Sequence, residues 1–187
     1  MSSKRPSTDW RLFIAAALLV VAADLLTKHM VTTGHWRAEY LWGLLRIVRV
    51  DNPGAAFGLF AGARGAFVAV KLAALVVILA LLGRGQESRM TLPLALVFGG
   101  ALGNLVDRLR GAGEVIDFID VYVSSPGATD WLVRQFGTSH WPTFNVADSS
   151  IVVGACLLVI DMFRRQPVAE GHGGVPPAGA ARNHETG

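Results

Sequence analysis

Four long, almost uninterrupted apolar stretches divide the chain, at roughly 13–31, 66–82, 92–106 and 144–163. A helix that crosses a bilayer needs about 20 mostly apolar residues, with about 17 as the lower end. The first, second and fourth runs meet that length, and the third must borrow polar flanks. The pattern predicts spans over about 12–33, 66–83, 91–109 and 143–163, all within one membrane domain of residues 1–165. The tail over 166–187 is Gly, Pro, Ala and polar residues without periodicity, the composition of a disordered segment. A basic leader (Lys4, Arg5, Arg11) precedes the first run, as in a signal peptide. Asp24 and Lys28 interrupt that run, however, and no clear small-residue cleavage site follows, so it is expected to be retained as a span.

Between the runs the pattern changes. Residues 40–50 read YLWGLLRIVRV, rich in β-branched and aromatic side chains with partial alternation, which predicts a short strand or hairpin at the membrane surface. Asn52-Pro53-Gly54 then forces a turn, because Pro fixes its own φ and restricts the residue before it. Trp36, Tyr40 and Trp42 suit an interfacial aromatic belt. The segment over 111–142 holds Asp117 and Asp120 and then a Ser/Pro/Gly-rich stretch at 124–129. Trp131 and Trp141 mark it as resting on the interface.

Composition agrees. Of the 187 residues, 52% are hydrophobic and 17% charged, against about 25% charged in an average soluble chain. The net charge of +3, with no basic patch interleaved with aromatics, points to phospholipid headgroups rather than nucleic acid as the partner. Cys156, the only cysteine, lies in the fourth run, so no internal disulfide or cysteine-held metal is available. Lys and Arg are nearly balanced between the two sides of the predicted bundle. Those on the side of the termini sit in shorter segments and include the basic leader, which places both termini in the cytoplasm.

Ionisable and amide side chains inside spans cost roughly 2.5–3.5 kcal/mol at the bilayer centre and demand a reason. Asp24 and Lys28, at i and i+4 near the end of the first span, are expected to pair with each other and to play a structural role. Asn104, Asp107 and Arg108 share one face at the end of the third span. A local ion pair of Asp107 with Arg108 or Arg110 would explain that acid, whereas Asn104, after Gly99, Gly100 and Gly103, should reach across to another helix. Asn145 and Asp148 open the fourth span, with Thr143 as candidate cap. An acid there is favoured by the helix dipole whether or not it has chemistry to do. Asp161 is accounted for by Arg164 and Arg165 at i+3 and i+4.

The five histidines are scattered and no HExxH is present, which argues against a zinc hydrolase. No GxSxG elbow or phosphate loop occurs. Paired carboxylates remain. Hydrolysis by two acids needs one ionised, to take a proton from water, and one protonated, to polarise the carbonyl. Two carboxyls brought close raise the pKa of one of them. Asp107, Asp117, Asp120 and Asp148 all fall on one side of the membrane, and spacing alone does not choose among them. A transporter would spread its polar residues through the depth of several spans, and here they crowd towards one side. A non-catalytic scaffold would tolerate loss of the acids.

The motifs DLLTK (24–28), NPGAAFG (52–58), GGALGNLVDRLRGAGEVIDFID (99–120) and FNVADSSI (144–151), in this order, resemble the lipoprotein signal peptidase family, signal peptidase II. The resemblance covers about 12–162. It implies an all-α membrane protein of four transmembrane helices with a small extracytoplasmic β-cradle. It also implies an aspartic dyad near the extracytoplasmic surface of the bacterial inner membrane. Asp117 of the V-x-D-F pattern and Asp148 of the N-x-A-D pattern are then the catalytic pair. Asn52, Gly54, Asn104, Arg108 and Asn145 match positions that line or support the substrate pocket, and Asp24 matches a supporting acid. Lys28, Asp107 and Ala147, in the same motifs, complete the expected set. The implied substrate is a prolipoprotein cut before its diacylglyceryl-modified cysteine, by a monomer without metal or organic cofactor. One departure stands out, a stretch around 124–137 longer than is usual between the two aspartates.

Overall fold

A computed structural model describes residues 8–40, 43–53, 64–110 and 113–164. In chain order these form α1 (Trp10–Thr32), β1 (Ala38–Tyr40), β2 (Leu45–Asn52), α2 (Arg64–Gly83), α3 (Ser88–Leu109), β3 (Val115–Val121), α4 (Pro126–Phe136) and α5 (Val146–Arg164). Gly54, Trp42 and the tail over 166–187 lie outside the described residues, so the expectations placed on them have no structural counterpart here.

Among the described residues, α1, α3 and α5 are long and apolar enough to cross a membrane, and α2 contributes the shorter apolar stretch Val68–Gly83. Sequence predicts four spans; three meet the length and hydropathy of one. The third run does borrow its flanks, since α3 reaches 22 residues by including 88–91 at one end and 107–109 at the other.

Helix α3 is the centre of the bundle and packs on α5, α1 and α2. Glycines set how closely. A Cβ at Gly99 would lie 2.9 Å from the Ala17 carbonyl oxygen of α1, and one at Gly154 of α5 would lie 2.7 Å from the Pro93 oxygen of α3. A Cβ at Gly100 would overlap the Ala147 oxygen and the Ser150 hydroxyl. Such contacts replace the hydrophobic drive that lipid does not supply. The opposite surfaces are apolar and open, with Leu18, Leu19, Val70, Val76, Val152 and Val153 each more than half exposed. The apolar residues face out and the charged ones in, the reverse of a water-soluble domain.

At one end of the bundle sits a three-stranded antiparallel sheet in the order β1-β2-β3. The expected strand over 40–50 appears as a β1–β2 hairpin. Val31 from the end of α1 packs with Ile47 and Phe118, and Trp36 covers them, which seats the sheet on the helices. The register of β2 against β3 slips between Ile47 and Val50, so that Val50 opposes Asp117. Irregularities of this kind re-aim side chains near sites. At the opposite end, Thr8 ties the chain start to the α2–α3 turn. Its hydroxyl donates to the Leu82 carbonyl at 2.8 Å and accepts from the Gln86 amide at 3.0 Å.

Several local expectations are corrected. The side chain that caps α5 is that of Asn145, not Thr143: Asn145 Oδ1 accepts from the Asp148 amide at 2.9 Å, and Asp148 Oδ2 accepts from the Asn145 amide at 3.3 Å. This reciprocal pair is a capping box, and it outcompetes Thr143 because both of its partners lie three residues apart on the first turn. Asp107 pairs not with its arginine neighbours but with Lys28 of α1, at 2.7 Å. Asp161 also meets Arg89 of α3 at 3.0 Å, a partner not expected from sequence, while Arg165 lies outside the described residues. The stretch over 124–137 contains helix α4.

Candidate active site

Where α1, α3, α5 and β3 converge, the protein buries a continuous polar network. Asp24, Lys28, Asn104, Asp107, Asp117 and Asn145 are each less than a tenth exposed. Lys28 Nζ lies 2.7 Å from Asp24 Oδ2 and 2.7 Å from Asp107 Oδ2, and it donates to Asn104 Oδ1 at 3.3 Å. One cation thus satisfies two buried carboxylates, and the cost of desolvating them is met only while it stays in place. The other oxygen of Asp24 accepts from the Ala147 amide at 3.0 Å. The acid of α1 therefore holds the positive end of α5, a favourable partner for otherwise unsatisfied first-turn amides. Gly103 makes room for it, since a Cβ there would sit 2.8 Å from Asp24 Oδ2.

The Lys28 charge turns the Asn104 amide so that its oxygen faces the ammonium and its nitrogen faces Asp148. Asn104 Nδ2 donates to Asp148 Oδ1 at 2.7 Å. Asn145 Nδ2 lies 3.1 Å from Asn104 Oδ1 and donates to Asp117 Oδ1 at 2.7 Å. Asn52 Nδ2, from the end of β2, donates to Asp117 Oδ2 at 2.8 Å. Asp117 and Asp148 are thus joined through one asparagine, Asn145, which caps the helix carrying the second acid and bonds the first. Burial pushes the Asp117 carboxyl up to about 6, and the nearby Asp148 charge adds to the rise, while Asn52, Asn145 and Lys28 pull against it.

Of the four acids that spacing left open, the structure divides the work. Asp107 belongs to Lys28, and its Oδ2 also accepts from the Ile116 amide at 3.4 Å. Asp120 is buried between Arg46, at 2.5 Å, and His140, at 2.9 Å. Asp117 and Asp148 are the two brought into one network of amides. Arg108 is buried at the end of α3, where its Nη1 donates to the Gly113 carbonyl at 3.0 Å and holds the turn into β3. Ala147 is fully buried, and its contribution is its backbone. Among the described residues no group of His, Cys, Asp or Glu is gathered to hold a metal ion.

Sequence reading missed the Arg46–Asp120–His140 cluster, whose members are scattered and on which Tyr122 stacks at 5.4 Å from the His140 ring. It also missed that Asp24 caps α5. Neither has a local signal, because each joins residues far apart in the chain.

Comparison with known proteins accords with this architecture. The family model described as signal peptidase (SPase) II matches residues 16–164. A lipoprotein signal peptidase of Syntrophus aciditrophicus (strain SB) is 42% identical over 165 residues, covering 83% of this chain and 94% of the relative. One from Burkholderia thailandensis is 41% identical over 160 residues, covering 82% and 88%. Two solved structures of a bacterial membrane enzyme, at 2.3 and 1.9 Å resolution, superpose with TM-scores of 0.71 each. They are 26% and 27% identical, and the match covers 93% and 88% of this chain and 100% of each of theirs. A family model spanning most of the chain and relatives above 40% identity carry one conclusion: the chain belongs to the signal peptidase II family.

Proposed function

We propose that this protein is an aspartic endopeptidase of the bacterial inner membrane that removes signal peptides from prolipoproteins, cutting before the diacylglyceryl-modified cysteine. The observation that carries the aspartic reading is the joining of Asp117 and Asp148 through Asn145 in a buried network. Asp117, pushed up to about 6, is the acid, and Asp148, held by Asn104 and by the first turn of α5, is the base. Asp148 takes a proton from water as its oxygen attacks the scissile carbonyl carbon, and Asp117 gives a proton to the carbonyl oxygen. When the tetrahedral intermediate collapses, the proton on Asp148 passes to the departing amine and Asp117 recovers its own. Asn52, at the rim of the site, holds Asp117 and faces the incoming peptide.

The path of the chain supports four spans. The end of α1 and the starts of β1 and α5 share the sheet end, while Thr8 joins the far end of α2 to the start of α1. Since β2 leaves from the sheet end and α3 runs back to it from that far end, this reading has α2 cross the same depth as its neighbours. In this reading both termini are cytoplasmic and the sheet is extracytoplasmic. Membrane phospholipid surrounds the spans, and the substrate's lipid lies beside them.

The test is incubation of the purified protein with a lipidated precursor in detergent, with the shortened product read by mass. Asp117→Asn and Asp148→Asn should each lower the rate by about 10²–10⁴-fold while the protein remains inserted and folded. Cleavage at the parental rate by Asp117→Asn would overturn the assignment.

A further inference from the structure

Helix α2 carries one charge within its apolar stretch, that of Lys71. From residue 65 onward, the described side chains of α2 that are withdrawn from the surface are Val68, Lys71, Leu75, Ile78 and Leu82. They recur at intervals of three and four, the seam by which one helix packs on another. Leu75 clusters with Ala101 and Leu105 of α3, and Ile78 and Leu82 cluster with Leu94 and Ala95 nearer the far end. Lys71 therefore fills a core position of that seam, one turn closer to the sheet than Leu75. A lysine in an apolar span ordinarily lays its stem on lipid and lifts its head to the interface. This one faces α3.

The turn of α3 beyond Leu105 brings Arg108 to the same level, and the charges that act on Lys71 are those of Arg108, Asp148, Lys28 and Asp107. Two repel it and two attract it, and neither attraction becomes a bond. Asp148 accepts from Asn104 and from the Asn145 amide, and Asp107 is held by Lys28. Among the described residues Lys71 has no hydrogen-bond or ion-pair partner. A half-buried ammonium left so within an apolar span is costly. Its three donors call for an acceptor that the fold does not supply.

The bundle leaves a way in. Among the described residues α2 packs on α3 and on no other helix, whereas α1 and α5 flank α3 and touch each other. The seams beside α2 are thus open sideways to the bilayer, and one of them has Lys71 on one wall and Asp148 on the other. Lys71 lies about 10 Å along the axis from Arg64 at the sheet end of α2. That is below the headgroups, at the depth of glyceryl esters rather than phosphates. In a diacylglyceryl-modified cysteine the ester oxygens lie a few bonds beyond the amide that is cut, so they fall near Asp148 but past its reach.

We propose that Lys71 is a specificity-determining residue for the lipid part of the substrate: its ammonium donates to an ester carbonyl oxygen of the diacylglyceryl group. This rests on the peptidase reading given above. A membrane phospholipid carries the same glyceryl esters, and the experiment separates the two sources.

Binding is measured on the full chain in detergent, in an Asp117→Asn background so that turnover does not intervene. The probe is a fluorescent precursor peptide bearing either diacylglyceryl-cysteine or its dialkyl ether analogue, which keeps both chains and lacks the carbonyls. With Lys71 in place the ester peptide should bind about 10–100-fold more tightly than the ether, the effect of a hydrogen bond to a charged group. Lys71→Met should bind both peptides alike, and Lys71→Arg should restore the preference. A lysine that only supports the fold would, when replaced, weaken both peptides together, and that result would overturn the proposal. So would an ester preference that survives in Lys71→Met. Displacement of the ester peptide by excess phosphatidylglycerol from the Lys71 protein, but not from Lys71→Met, would overturn it as well, by giving the lysine to a phospholipid. Binding is read without cleavage, so a lost ester preference and a failed dyad are separate results.

Discussion

Asn52 offers a direct test of how Asp117 works. Its Nδ2 donates to Asp117 Oδ2 at 2.8 Å, a bond that favours the charged carboxylate and so opposes the rise that burial imposes. Replacing Asn52 by Ala removes the donor and leaves Asn145 on the other oxygen. A hydrogen bond to a charged group is worth about 1.5–3 kcal/mol. At 1.36 kcal/mol per pKa unit, that is about one to two units. Asn52 is only half-buried, so water can replace part of the lost bond, and the lower figure of about one unit applies. The sign follows from the role of Asp117. The working form carries the proton on Asp117, so kcat/KM falls as pH rises through its pKa. Without Asn52 that pKa rises, and the alkaline limb must move to higher pH by about one unit. The assay is kcat/KM for a lipidated precursor across pH 5–9, reading the position of the limb rather than the height of the plateau. A limb that stays in place, or moves to lower pH, would refute the assignment of Asp117 as the acid.

Three further outcomes are expected in detergent. Burial lifts Asp117 from its ordinary 3.8 to about 6, a gap of about 3 kcal/mol. The associated stability is fully present below 3.8 and is lost as pH rises through 6. Asp117→Asn should therefore gain on the parent by about 1.4 kcal/mol between pH 5 and pH 8, read from thermal midpoints. Lys28→Met strands Asp24 and Asp107 as uncompensated buried charges and should cost about 3–5 kcal/mol, with an early melting transition. Gly100→Ala drives a methyl group into the Ala147 oxygen and the Ser150 hydroxyl. It should cost about 1–3 kcal/mol, while Gly65→Ala, facing open space, leaves the midpoint unlowered.

The helices were legible because an apolar run of fixed length is a local property of the chain, and the boundaries of α1, α2 and α5 fall within a few residues of the predicted ones. The hairpin was legible for the same reason. What sequence did not yield is what joins distant residues. Asp107 has two arginines close by in sequence, yet it bonds to Lys28, 79 positions away, because the packing of α3 on α1 buries the pair together. Helix α4 did carry its signals, with Pro126 at its start and Gly137 at φ 76 just past its end. The Ser, Pro and Gly residues around its first turn masked them as a loop. The dyad was named by motif resemblance, not by spacing. The amides of Asn104 and Asn145 bond Asp148 and Asp117 directly, and the proposal that these two acids form the pair rests on that contact.

The capping box at the head of α5 ties the arming of the enzyme to its own biogenesis. Asp148 is oriented by Asn145 on its own helix and by Asn104 of α3, and the helix end it sits on is secured by Asp24 of α1. A nascent chain possesses none of these restraints until its last span has docked against the earlier ones. On the proposed assignment of Asp117 and Asp148, the site is therefore complete only once the last span has docked, and the chain carries no assembled pair while it is being made and inserted.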